Sequence, residues 1–74
     1  MTNDQRMIAL EARITGGEPF TYGDLCVVAG GDVDRLVDKT IQKWRRRGWI
    51  YMDGRIGRAP RWLFRPEAYS AAAA

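Results

Sequence analysis

Glycine punctuation constrains this chain more than any other feature. Gly16-Gly17, Gly30-Gly31 and Gly48 cut the first 48 residues into three short segments of helical periodicity. Beyond Gly48 the pattern changes from helical to alternating, the signature of strands. The chain must therefore pack three short helices against a small sheet.

Each segment carries its own start signal. Thr2-Asn3-Asp4-Gln5 fits a capping box, in which the Thr2 hydroxyl accepts from the Gln5 amide and the Gln5 side chain reaches back. Met7, Leu10 and Ile14 follow on one face, predicting a helix over about Asn3–Thr15. Pro19-Phe20-Thr21 reads as a short extended stretch. Thr21 is the second N-cap, with Asp24 at the third helical position near the positive helix end. Leu25, Val28 and Ala29 then face inward until Gly30-Gly31 breaks the helix. Asp32 is expected to cap a third helix over 32–47, whose stripe is Val33, Leu36, Val37, Thr40, Ile41 and Trp44. Gly48 supplies the left-handed residue that stops it.

Trp49–Met52 and Arg61–Arg65 read as strands. Ile50 and Met52 share one side, and Trp62 and Phe64 project to one side of theirs. Both pairs are expected to pack on Trp44, leaving Trp49 and Tyr51 for exposed contacts. The connection admits two readings: a tight Asp53-Gly54 hairpin, or a longer mobile loop over Gly54–Pro60. Two glycines and a proline favour the loop. A single domain is expected over 1–68, with 69–74 as a flexible tail too short to form a helix alone.

Composition narrows the function. With 46% apolar residues and three Trp in 74, the sequence describes a folded domain and not a disordered basic tail. It has no His and one Cys, which excludes an internal disulfide and an ordinary zinc site. No nucleophile stands beside a base and no phosphate-binding glycine signature is present, so an enzyme is not expected. Cys26 reads as a small buried hydrophobe. The apolar runs are too short for a membrane span, and the N-terminus lacks a signal-peptide layout. A cytoplasmic protein without cofactors is expected.

Charge points to the partner. Residues 1–34 hold two basic and six acidic groups, a net of −4, and residues 35–74 hold ten and three, a net of +7. A basic half with interleaved aromatics suits a polyanion, foremost nucleic acid.

The residues Pro19-Phe20-Thr21-Tyr22-Gly23-Asp24-Leu25, Gly30-Gly31-Asp32-Val33 and Ile41-Gln42-Lys43-Trp44-Arg45-Arg46-Arg47-Gly48-Trp49-Ile50 carry a resemblance. Over about Asp4–Arg65 the chain resembles a winged helix-turn-helix domain: α+β, with three helices and a small antiparallel β-hairpin as the wing. The resemblance implies duplex DNA as partner and a role as a small bacterial or phage transcriptional regulator.

At about 100° per residue, Arg35, Asp38, Lys39, Gln42 and Arg46 lie opposite the apolar stripe, with Lys43 and Arg45 at its margins. That face suits a major groove, where Arg forks to guanine and Gln pairs with adenine. Lys43 and Arg45 suit phosphates. Arg47 falls toward the core and is placed to meet last-turn carbonyls. Asp38 stands apart: it can accept from cytosine N4, pair with Arg35 or Gln42, or repel phosphate. Arg55, Arg58 and Arg61 recur on the connection, where an arginine-bearing wing enters a minor groove or lies on phosphates. Thr21 and Tyr22 are candidates for a phosphate contact through hydroxyls and backbone amides.

Two rivals stand beside duplex DNA. One is a protein-interaction module of the same fold docking an acidic protein. The other is nonspecific or single-stranded binding with Trp49 and Tyr51 as stacking platforms. So small a module offers limited interface, which makes a homodimer or a partner an added expectation.

Overall fold

A computed structural model describes residues 2–31 and 33–73. These residues form helices α1 (Asn3–Thr15), α2 (Tyr22–Val28) and α3 (Asp34–Arg46), strands β1 (Ile50–Ile56) and β2 (Ala59–Phe64), and helix α4 (Pro66–Ala73). The architecture is α+β, in a layout compatible with a winged helix: three helices followed by an antiparallel hairpin.

The first two helices start as their sequences dictate. The Thr2 amide donates to Gln5 Oε1 at 2.9 Å and the Gln5 amide to Thr2 Oγ1 at 3.2 Å. Thr21 and Asp24 make the same reciprocal box on α2, at 3.0 and 3.3 Å. Between them, Arg13 donates to the carbonyls of Glu18 and Pro19 at 3.1 and 3.0 Å, fixing the path from α1 to α2. The αL residues that turn the chain out of α2 are Gly30 and Gly31, with φ of 93° and 77°. The third helix is shorter than the expected 32–47. Val33 is its N-cap and gives no side-chain hydrogen bond; the expected Asp32 cap lies outside the described residues.

Leu10, Ile14, Phe20, Leu25, Ala29 and Val37 are wholly buried where the helices meet. Phe20 also ties this core to the sheet. Its amide donates to the Trp62 carbonyl at 3.0 Å, and the Trp62 amide returns to Phe20 at 2.8 Å. The extended stretch before α2 thus acts as a one-residue third strand beside β2.

The hairpin corrects the expected long loop. The aromatic strands pair as Ile50↔Phe64, Tyr51↔Leu63 and Met52↔Trp62, and pairing then resumes at Arg55↔Pro60 and Ile56↔Ala59. Asp53 and Gly54 together stand opposite Arg61, a β-bulge. Gly54 and Gly57, unfavourable in a regular strand, serve this hairpin. Gly54 (φ 79°) sits in the bulge and Gly57 (φ 62°) opens the two-residue turn, and both positions need a left-handed residue. Beyond the bulge the strands leave the core, and Ile56 is 58% exposed. Met52, expected inside, is 54% exposed at the bulge's edge, although its cross-strand partner Trp62 is buried.

The C-terminal segment also departs from expectation. Residues 66–73 are helical, and Tyr69 stacks on Trp44 with centroids 5.1 Å apart and planes 12° from parallel. Its hydroxyl donates to Glu11 Oε1 at 2.8 Å. A segment too short to hold helix alone is stabilised by docking. Trp49, expected exposed, is half-buried in the same cluster, edge-on to Trp44 and to Tyr69 at 5.1 Å each. Phe64 closes the group at 5.4 Å from Tyr69.

Trp44 is the centre of this packing and is 5% exposed. Replacing it with Ala is expected to cost about 4 kcal/mol. That is comparable with the whole stability of a domain this small, on the order of 5 kcal/mol. Chemical denaturation should find the Trp44→Ala midpoint at a small fraction of the native value, with a detectable unfolded population before denaturant is added, whereas Ile8→Ala, at a site 68% exposed, should leave the midpoint nearly unchanged.

Candidate nucleic-acid interface

Amphipathicity sorts the α3 side chains. Val37, Thr40, Ile41 and Trp44 are buried, while Arg35, Asp38, Lys39, Gln42, Lys43, Arg45 and Arg46 are all exposed. The buried Thr40 hydroxyl satisfies itself on the Leu36 carbonyl at 2.8 Å. The seven exposed residues are those the sequence assigned to the binding face, and the structure brings them together on one helix. Among the described residues the one ion pair is Arg61–Asp53, and none of the α3 cations pairs with a carboxylate there.

Two of the depressions along this helix differ in character. One, of about 500 Å³, is lined by Lys39, Gln42, Lys43, Arg46 and Arg47. The other, of about 390 Å³, runs between the end of α3 and the hairpin and is lined by Arg45, Ile50, Tyr51, Met52, Pro60 and Trp62. The first is cationic. The second is apolar with Arg45 at its rim.

The three hairpin arginines divide. Arg55 and Arg58 are exposed on the distal hairpin, Arg58 in the turn itself. Arg61 is engaged: its Nε donates to the Asp53 carbonyl at 2.8 Å and its Nη2 to Asp53 Oδ2 at 2.9 Å. It braces the bulge and sets the direction of the distal hairpin, a positioning task in place of the expected free contact.

Thr21 and Tyr22 also have prior partners. The Thr21 amide and hydroxyl are both taken by Asp24, whose carboxylate fills the anion position at the start of α2. The Tyr22 hydroxyl donates to the Asp34 carbonyl at 3.0 Å, joining the beginnings of α2 and α3. Desolvation, reinforced by the negative Asp34 carboxylate, pushes the Tyr22 hydroxyl from 10.0 up to about 12. Cys26, half-buried, lies 3.8 Å from Asp34 Oδ1, and burial followed by that charge raises its thiol, which stays protonated and unreactive.

Two arginines emerge that residue patterns did not assign to the surface. The Arg47 guanidinium lies 5.0 Å from the Trp49 ring and that of Arg65 lies 4.6 Å from the Tyr51 ring. Stacking holds each guanidinium plane without using its hydrogen-bond donors. The Arg47-x-Trp49 spacing could have suggested the first; the second needs the strand register. Arg47 therefore meets an aromatic face and not the last-turn carbonyls.

No family model, no curated protein and no solved structure matches this chain. Any functional conclusion rests on the site itself.

Asp53→Ala removes the Nη2 contact, leaves Arg61 held by the Asp53 carbonyl alone, and should loosen the bulge. A half-exposed pair of this kind contributes under about 1 kcal/mol, so global stability should fall little, while hydrogen exchange at Arg55–Ala59 amides should accelerate several-fold. Alkaline titration tests the α2–α3 tie. A hydroxyl raised in the folded state stabilises fully below its unfolded value near 10.0 and loses that contribution as pH rises through about 12. Unfolding midpoints should therefore fall over that interval, and Tyr22→Phe should flatten the fall.

Proposed function

We propose that this chain binds duplex DNA, with the exposed face of α3 in the major groove and the distal hairpin on the adjacent backbone or minor groove, and that it acts as a small transcriptional regulator. The observation that carries this reading is the cationic face of α3. Arg35, Lys39, Lys43, Arg45 and Arg46 project from one rigid helix without a carboxylate partner among the described residues. Arg55 and Arg58 extend the positive surface onto the hairpin. Fixed cations on a helix narrow enough for a major groove match the phosphate walls on either side. Lys43, Arg45 and the flanking Arg47 suit the backbone; Arg35, Gln42 and Arg46 suit base edges.

A second reading keeps the fold and changes the partner. The apolar groove beside Arg45, with Met52 and Ile56 exposed at 54% and 58%, suits an acidic protein segment bearing an apolar anchor. Stacking on single strands has less support, because Trp49 is committed to the aromatic cluster.

The two partners separate by salt dependence. About six phosphate contacts should cost roughly a thousandfold in affinity between about 50 and 200 mM salt. Fluorescence anisotropy with a labelled duplex should show this, and Lys43→Ala should reduce the logarithmic slope by about 0.9. Duplex affinity that is absent, or indifferent to salt, rules the proposal out in favour of the protein partner.

A further inference from the structure

The exposed face of α3 holds one carboxylate in a field of cations. Asp38 stands one turn or less from Arg35, Lys39 and Gln42, yet among the described residues it forms no ion pair. Its Oδ2 instead accepts from Gln42 Nε2 at 3.2 Å. A carboxylate only accepts, so this contact dictates which end of the amide faces it. The Gln42 NH₂ turns toward Asp38, which leaves Gln42 Oε1, its second amide hydrogen and Asp38 Oδ1 for a ligand.

An ionised carboxylate repels phosphate and repels every acceptor on a base edge. Its complements in the major groove are exocyclic amines, and cytosine N4 is the one presented without an adjoining acceptor on its own base, which would repel the carboxylate. Gln42 keeps an acceptor and a donor side by side, the pattern that adenine N6 and N7 complement. The two side-chain tips meet at 3.2 Å, close to the spacing of about 3.4 Å between stacked bases on one strand, so the pair spans neighbouring base pairs.

Resting on the duplex-DNA reading above, we propose that Asp38 and Gln42 form a specificity pair. Asp38 selects a cytosine through its N4 amine and orients Gln42 for an adjacent adenine, while the surrounding cations supply affinity. Asp38 weakens binding to every sequence and weakens it least where the amine is present. It converts a general polyanion surface into a selective one.

The test selects binding sites for the full chain from a randomised duplex pool, then alters the preferred duplex one atom group at a time. Replacing the preferred cytosine with 2-pyrimidinone removes only the N4 amine. The native chain should lose about tenfold in affinity, and Asp38→Ala should lose nothing further from that replacement. Asp38→Ala should also bind an unrelated duplex several-fold more tightly at low salt, since a repulsive charge is gone. Circular dichroism melts should show the variant folded. Equal losses in both proteins, or no loss in the native chain, overturn the pair while leaving DNA binding standing. A native chain that retains duplexes without enriching any sequence also overturns it. Retention of no duplex at low salt overturns DNA binding and the pair together.

Discussion

Trp44 fixes the geometry on which everything else depends. It sits on the buried side of α3 one residue from Lys43 and Arg45, so one stretch of helix carries both the anchor and the charge. Tyr69 stacks on its face, Trp49 meets it edge-on, and Phe64 lies 6.2 Å away at a tilt. These rings come from the α3–β1 junction, the end of β2 and α4. Their mutual packing locks the hairpin and the last helix to the end of α3. A basic helix with a freely swinging hairpin would present its two clusters at random separations. The aromatic cluster removes that freedom before any partner arrives, which lowers the ordering cost of binding.

The same logic runs outward through smaller ties. The Phe20–Trp62 hydrogen bonds hold the sheet against the α1–α2 connection, and Tyr22 ties the start of α2 to α3. Arg61 braces the bulge, so one of three hairpin arginines is spent on aiming the other two. Arg47 and Arg65 rest on aromatic faces, which restrains long side chains while leaving their donors available. The basic charge of residues 35–74 thus divides into residues that hold the surface in place and residues that present it.

What was legible in the sequence was local. The capping box at Thr2 and the N-cap at Thr21 are four-residue patterns, and the apolar stripe of α3 is a period, so helix positions followed from neighbours alone. The exposed face of α3 followed too, because burying Val37, Ile41 and Trp44 leaves Arg35, Lys39, Gln42 and Arg46 outside. What escaped depended on distant partners. Gly54 weakens a regular strand and is at home in a bulge, but the bulge exists opposite Arg61. Helix α4 gains its stability from Trp44 and Glu11, far back in the chain. Thr21 and Tyr22 looked available until Asp24 and the Asp34 carbonyl claimed them. Asp38 was legible as an anomaly, and its contact with Gln42 was one of the alternatives its spacing allowed.

The central claim is that one surface, the α3 face with the distal hairpin, meets duplex DNA. An NMR titration of the full chain with a duplex tests it most directly. Amide and guanidinium shifts should concentrate on Arg35–Arg46 and on Arg55–Arg58, with the α1 residues facing away from α3 unchanged. Shifts concentrated on α1, or a spectrum unaltered by excess duplex at low salt, would contradict it.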